Sequence, residues 1–358
     1  MLPRYETFDQ TRDTELARPY TALASLLECD SDEIGIMSSA TDAWQQVVYG
    51  LAWNWKPGDK IYTSVSEYGS NYIAYLQIQK RSGVEIATIP ELPESGDFDL
   101  EAFETLLLNE GSNNQVVLVS VNHVPTSSGK VYDVEALGVL TSKYGIRYMV
   151  DACQSVGQLP VNVKSIKCDF LSGTGRKYLR APRGSGFLFC KRSSLQYFEP
   201  ATLDNIGAQW VGPTEYVVVH SARRFERYEM SFAAKVGLGV AIEECLSIGI
   251  DFIWKRIQLL ATQLRSQLST IPGVTVTDKG KVLCGIVTFT MDTMNADDIQ
   301  QRLYKKGINT SVSRILSSRL DFEKRDLTAV VRASVHVFNT EKEIQRFISA
   351  VKALHSCT

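Results

Sequence analysis

Arg147-Tyr148-Met149-Val150-Asp151-Ala152-Cys153-Gln154 runs from an apolar stretch into an aspartate. Gly173-Thr174-Gly175-Arg176-Lys177 follows, its lysine 26 residues beyond that aspartate. The first segment predicts a strand over residues 147–150 with Asp151 at its C-terminal end, where open α/β sheets place their ligand-binding residues. The second is a Gly-rich turn, and Pro182-Arg183-Gly184-Ser185-Gly186 makes another just after it. Taken singly, a strand-end aspartate is an ordinary helix cap and a turn lysine an ordinary surface charge. Their combination asks for a ligand.

Working outward, short apolar runs at 33–37, 60–64, 116–121, 147–150, 170–172 and 186–190 predict strands. Amphipathic stretches at 41–52, 70–82, 100–108 and 134–144 predict the helices between them. This alternation specifies an α/β domain with a mostly parallel sheet. After residue 230 the pattern changes. A proline-free helical stretch over 233–270 leads to Pro272-Gly273, then a strand at 286–291, a helix near Asn295, a strand at 330–338 and a last helix from Thr340. The chain therefore divides into a large α/β domain, 1–235, and a smaller α+β domain, 236–358.

Composition narrows the function classes. Among 358 residues, 38 Lys and Arg balance 40 Asp and Glu, so no bulk positive field recruits nucleic acid. No apolar run approaches the ~18–20 residues that cross a bilayer. The start, MLPRYETFDQTRDTELARPY, lacks the apolar core of a secretory signal. Seven scattered cysteines with no CxxC pair, and only four histidines, argue against a metal site. They suit reduced thiols in a cytoplasmic protein.

Strand-Asp-x-x-Gln, the Gly-x-Lys turn and the glycine-rich turn after it together resemble the class V aminotransferase family, enzymes of fold type I that use pyridoxal 5′-phosphate (PLP). The resemblance runs from about residue 25 to the C-terminus. Thr174-Gly175-Arg176-Lys177-Tyr178-Leu179-Arg180-Ala181-Pro182-Arg183-Gly184 is most similar to the branch of hercynylcysteine sulfoxide lyase-like and isopenicillin N epimerase-like proteins. The resemblance implies a large domain with a mixed, mostly parallel sheet, a smaller C-terminal α+β domain, a small amino-acid substrate and a homodimer. The tryptophans Trp44, Trp53, Trp55 and Trp210 are candidates for that dimer interface or for the core.

It also implies roles. Lys177 would hold PLP through its ε-amine and then move protons at the substrate Cα, for which a desolvated cleft must favour its neutral form. Asp151 would pair with the pyridine nitrogen, and Gln154 with the ring or phosphate oxygens. In Ser38-Ser39-Ala40-Thr41, Ala40 and Thr41 would cup the phosphate at a helix N-terminus, with Thr174 matching a phosphate-binding serine. Tyr68 stands where the family stacks a histidine on the ring, and Asn71 of the same segment is a candidate substrate contact. Thr126 replaces an asparagine at the ring oxygen, and His123 matches a histidine near the cofactor. Arg332 is similar to the arginine that grips a substrate carboxylate.

Three departures stand out. Arg176 precedes the lysine where many relatives carry histidine, so a guanidinium would meet the phosphate. Arg224-Phe225-Glu226 matches the family, but Arg227-Tyr228-Glu229-Met230-Ser231 replaces the Gly-Thr that usually follows, leaving Ser231 to contact a neighbouring subunit's phosphate. The phosphate-loop region begins by residue 38, so the usual front segment is short or missing.

For the reaction, persulfide-forming desulfurases need a loop cysteine shortly before the carboxylate-binding arginine, and residues 311–331 contain none. That points away from desulfuration and toward β-elimination by a C–S lyase acting on a cysteine-derived or S-oxide substrate. Aminotransfer, epimerisation and a degenerate PLP-binding protein are the alternatives.

Overall fold

The computed structural model describes residues 10–109 and 116–355. Cys357 and the first nine residues of the polar start lie outside the described residues. A seven-stranded sheet forms the larger layer. Its strands are β1 (Ile34–Met37), β2 (Lys60–Thr63), β3 (Glu85–Thr88), β4 (Val116–Asn122), β5 (Tyr148–Asp151), β6 (Phe170–Thr174) and β7 (Gly186–Cys190), in the order β1-β7-β6-β5-β4-β2-β3. From β6 to β3 every pairing is parallel, while β7 runs antiparallel to both β6 and β1. Every residue of β5, β6 and β7 is buried, which is why these strands read as apolar runs with little alternation.

The helices of this layer are α1 (Gln10–Leu27), α2 (Ala40–Ala52), α3 (Gly69–Ser82), α4 (Leu100–Asn109), α5 (Val134–Lys143) and the single turn α6 (Val163–Ile166). Side-chain caps set their starts: Ser39 Oγ accepts from Asp42 N at 3.1 Å, and Asp133 Oδ1 accepts from Ala136 N at 2.9 Å. A hairpin, β8 (Ala208–Gly212) and β9 (Glu215–Val218), then leaves the layer.

The predicted long helix over 233–270 is two helices, α7 (Phe232–Ile248) and α8 (Ile250–Leu268). Gly249 separates them at φ 88°, a conformation that glycine adopts without a Cβ penalty. The boundary expected at 235/236 falls in the first turn of α7, which packs along α1. Beyond it, β10 (Val274–Val276), β11 (Ile286–Met291), α9 (Ala296–Lys305), β12 (Ser311–Arg314), α10 (Arg319–Lys324), β13 (Ala329–Ser334) and α11 (Glu341–His355) complete the chain. The four strands form an antiparallel sheet ordered β10-β11-β13-β12. β13 stops at Ser334, short of the predicted Phe338, because the chain turns there: Asn339 N donates to His336 O at 3.0 Å. Among the described residues no helix is long and apolar enough to cross a membrane, and no cluster of metal-ligating side chains occurs.

Candidate active site

Parallel pairing sets the C-terminal ends of β4 and β5 side by side, with Asn122 opposite Asp151. Asp151 is buried at this edge and its two oxygens are fixed separately. Oδ1 accepts from Cys153 N at 2.9 Å, and Oδ2 accepts from Asn71 Nδ2 at 3.1 Å. The same Asn71 amide donates to Glu67 Oε1 at 3.0 Å, linking two carboxylates through one side chain. Glu67 also accepts from Thr63 Oγ1 and from Tyr68 N, each at 2.7 Å. Burial pushes the Glu67 carboxyl up to about 7, with nearby Asp151 adding to the rise and the hydrogen bonds opposing it.

Across the cleft lies the start of α2. Ser39, not Thr41, supplies the cap, so Ala40 and Thr41 occupy the first helical positions, whose N–H groups have no intrahelical acceptor. Both line the cleft, at the positive pole of the helix. Gly186 at the head of β7 passes directly under Ser39 and Ala40, where a Cβ would meet their backbone. Thr174 ends β6 on the same wall, with Arg176 and half-buried Lys177 following. The turn that presents Lys177 is closed by Gly175 N to Ser185 O (3.0 Å), Ala181 N to Gly175 O (2.8 Å) and Arg180 N to Lys177 O (2.9 Å). Tyr178, next in the chain, stacks on His336 with ring centroids 5.4 Å apart.

The third wall joins the two sheets. Gln154 Nε2 donates to Thr126 Oγ1 at 3.2 Å. From β13, Arg332 donates through Nη1 to Thr126 O (3.0 Å) and Thr126 Oγ1 (3.1 Å), and through Nη2 to Gln154 Oε1 (3.3 Å). Arg332 thus reaches the cleft's polar groups from the smaller sheet. Tyr68 and Asn71 close the remaining side. The cleft therefore offers a buried carboxylate, a helix N-terminus beside hydroxyls and a guanidinium, an amine and an aromatic face. This donor set fits PLP, with the anion-binding groups gathered at the start of α2.

Ten of the residues singled out in the sequence line this one cleft: Lys177, Asp151, Gln154, Ala40, Thr41, Tyr68, Asn71, Thr126, Thr174 and Arg176. Arg332 touches it through Thr126 and Gln154. His123 does not join them. Successive residues at a strand end face opposite sides, so Asn122 enters the cleft while His123 lines another cavity beside Tyr132 and Phe98. Sequence reasoning missed Ser39, Asn122 and the thiol of Cys153 as lining residues, and the Glu67 support beneath Asp151. Burial and the Asp151 charge push the Cys153 thiol well above its usual range.

Arg224-Phe225-Glu226 proves architectural within the chain. Arg224 donates to Val219 O (2.8 Å) and Leu195 O (2.7 Å), Phe225 is fully buried, and Glu226 Oε1 accepts from Tyr20 Oη (2.7 Å) and Ile36 N (2.9 Å). Ser231 Oγ is occupied as the cap of α7, accepting from Ala234 N at 3.2 Å. Trp44 is a core residue at 1 % exposure, whereas Trp53 and Trp210 are both 79 % exposed.

Similarity to known proteins agrees with this geometry. A probable cysteine desulfurase of Methanothermobacter thermautotrophicus is 28% identical over 338 residues, 94% of this chain and 82% of the relative. One from Pyrococcus abyssi is 28% identical over 336 residues, 93% of this chain and 81% of the relative. The apo cysteine desulfurase of Thermococcus onnurineus superposes with a TM-score of 0.90 at 24% identity, covering 98% of this chain and 86% of that one, a likeness of fold. The fold is accordingly the expected type I α/β fold, with its mixed, mainly parallel sheet. These names correct two expectations. The relatives are desulfurases, not members of the sulfoxide lyase-like branch, and they overturn both the C–S lyase assignment and the exclusion of a persulfide-forming desulfurase. That exclusion rested on one absent acceptor cysteine, which says where sulfur does not go and leaves open whether it is removed. The model of the aminotransferase class-V family matches residues 7–347, and the chain belongs to that family.

Proposed function

We propose that this chain is a PLP-dependent enzyme that removes sulfur from L-cysteine. The observation that carries the cofactor assignment is the convergence of Lys177, Asp151, Gln154, Thr174 and the start of α2 in one cleft. Lys177 would hold the cofactor, Asp151 would pair with its ring nitrogen, and Ala40, Thr41, Thr174 and Arg176 would take its phosphate. Bound PLP supplies an electron sink for charge developing at the substrate Cα. Arg332, which now holds Thr126 and Gln154, would take the substrate carboxylate, Tyr68 would supply an aromatic wall, and the Lys177 amine would move the Cα proton.

The names of the curated relatives support cysteine as substrate. Because residues 311–331 hold no cysteine, the sulfur passes to a thiol brought from outside that segment. L-cysteine and the acceptor RSH then give L-alanine and RSSH: the C–S bond breaks, an S–S bond forms, and a proton returns to the alanine methyl group. The larger unit, 1–235, carries the cofactor, and the smaller, 236–358, closes on the substrate. A homodimer is supported by the exposed Trp210, Val211, Tyr216 and Val217 of the β8–β9 hairpin, an apolar surface of the kind that mates with a second copy. A cytoplasmic setting is supported by the free thiols of all six described cysteines.

The test is product analysis of purified, PLP-loaded protein given L-cysteine and dithiothreitol. Alanine and sulfide in equal amounts are expected. Pyruvate and ammonia in place of alanine, or turnover only with an added keto acid, would overturn the proposal.

A further inference from the structure

His123 leads to a second cavity. Its side chain is 6 % exposed, and Nδ1 is buried with no hydrogen-bond partner among the described residues. An unpaired buried polar nitrogen costs on the order of 1–3 kcal/mol, so its retention calls for a partner that arrives from elsewhere. It borders a cavity of about 660 Å³ on the far side of β4 from the Lys177 cleft. Apolar groups make the floor: Phe98 stacks on Tyr132 at 4.2 Å, with Val134 and Ile166 alongside. Among the charged lining residues, Asp97, Asp99, Glu101, Asp133 and Glu135 stand against Lys281 alone.

Asp99 and Asp133 each use one oxygen to cap a helix, on Ala102 N and Ala136 N, while Glu101 and Glu135 stand exposed at the mouth. Burial holds the His123 imidazole down to about 4, so it is neutral near pH 7 and able to accept a proton-bearing donor. A neutral imidazole in the lining, the stacked rings of Phe98 and Tyr132 and an excess of carboxylates select a cation with an apolar body.

We propose that this cavity is a second small-molecule site, distinct from the Lys177 cleft, for a protonated organic amine with an apolar body. The bound ammonium donates to His123 and is neutralised by the carboxylates, and its hydrocarbon part lies on Phe98 and Tyr132. The site is wired to the cleft through the backbone. His123 N donates to Asp151 O at 2.9 Å, and His123 is next in the chain to Asn122, a cleft residue. Occupancy therefore bears on the strand ends that hold Asp151.

Calorimetric titration of the PLP-loaded protein with N,N-dimethylphenethylamine tests this. A tertiary amine cannot condense with an aldehyde, so it reports on this cavity and not on the cofactor. One saturable site is expected, with phenylacetate, the anion of similar body, giving none. Glu101→Gln with Glu135→Gln, both at the exposed mouth, should weaken binding ~5-fold, two rim charges being worth about half a decade or more together. His123→Leu should remove it, whereas Lys177→Ala should leave it unchanged. Equal uptake of phenylacetate, no saturation by ~10 mM amine, indifference to the rim substitutions or loss on Lys177→Ala would each overturn the proposal. None of these outcomes depends on the enzyme turning over cysteine.

Discussion

Glu67 is the group whose replacement most directly tests the electrostatics beneath the cleft. Its carboxyl is fully buried, shares Asn71 with Asp151, and is raised from 4.5 to about 7 chiefly by desolvation. A carboxyl whose folded pKa lies above its unfolded value stabilises the fold in its protonated form. That contribution is complete below pH 4.5 and is lost as the pH rises through about 7. At about 1.4 kcal/mol for each tenfold change, the loss is roughly 3 kcal/mol. Glu67→Gln keeps the shape and the acceptor for Tyr68 N and Asn71, and its amide can donate to Thr63 Oγ1, but it never ionises. The variant should therefore match the parent near pH 4.5 and exceed it by roughly 3 kcal/mol at pH 7.5. Urea unfolding followed by tryptophan fluorescence at several pH values measures the difference between the two proteins, in which titrations common to both cancel. A difference that stays flat from pH 4.5 to 7.5, or a variant that is the weaker at pH 7.5, would refute the assignment of a buried, strained carboxylate.

Lys177→Ala should abolish the visible band of the PLP-loaded protein near ~420 nm and all turnover, read by absorbance and alanine release. Arg332→Lys keeps the charge but loses the planar fork, so KM for cysteine should rise ~10–100-fold with a smaller change in kcat, read by steady-state kinetics. Gly69→Ala places a Cβ against Leu316 O, so the 3-10 turn Ile315–Ser317 must shift; a loss of about 1–3 kcal/mol in urea unfolding is expected.

The large sheet was legible because strands covered on both faces announce themselves as apolar runs, as in β4 through β7. The elements missed had no such signature. α1 carries Pro19 inside the helix, and the β8–β9 hairpin is exposed on most of its length and shows no clean alternation. The break at Gly249 was invisible because one glycine within an apolar helical pattern does not by itself stop a helix; only its positive φ shows that it does here. At the site, family resemblance located residues along the chain but not the face each presents. The structure brings Asp151, Lys177 and Thr174 into one cleft and leaves His123, one residue from Asn122, lining a different cavity. The Glu67–Asn71–Asp151 link spans 80 residues between its last two members and exists only once the start of α3 meets the C-terminal end of β5.

The segment without a cysteine, 311–331, also bears on the proposed sulfur transfer. β12, the 3-10 turn Ile315–Ser317 and α10 are seated on the larger layer at several points. Ser313 Oγ donates to Thr126 O at 3.3 Å and Lys324 pairs with Glu91 at 2.9 Å, while within the smaller unit Arg325 joins Asp321 to Thr277 O. Gly69 brings the start of α3 against the turn's Leu316 carbonyl. A stretch held this way offers no free thiol to swing over the substrate. Within the cleft the thiol is Cys153, but burial and Asp151 keep it protonated, and a thiol is a far weaker nucleophile than a thiolate. The remaining described cysteines, apart from half-buried Cys29 outside the cleft lining, are buried. Under the proposed desulfuration the acceptor then comes from outside these described thiols, and the rate of sulfur release should rise with the concentration of an added thiol.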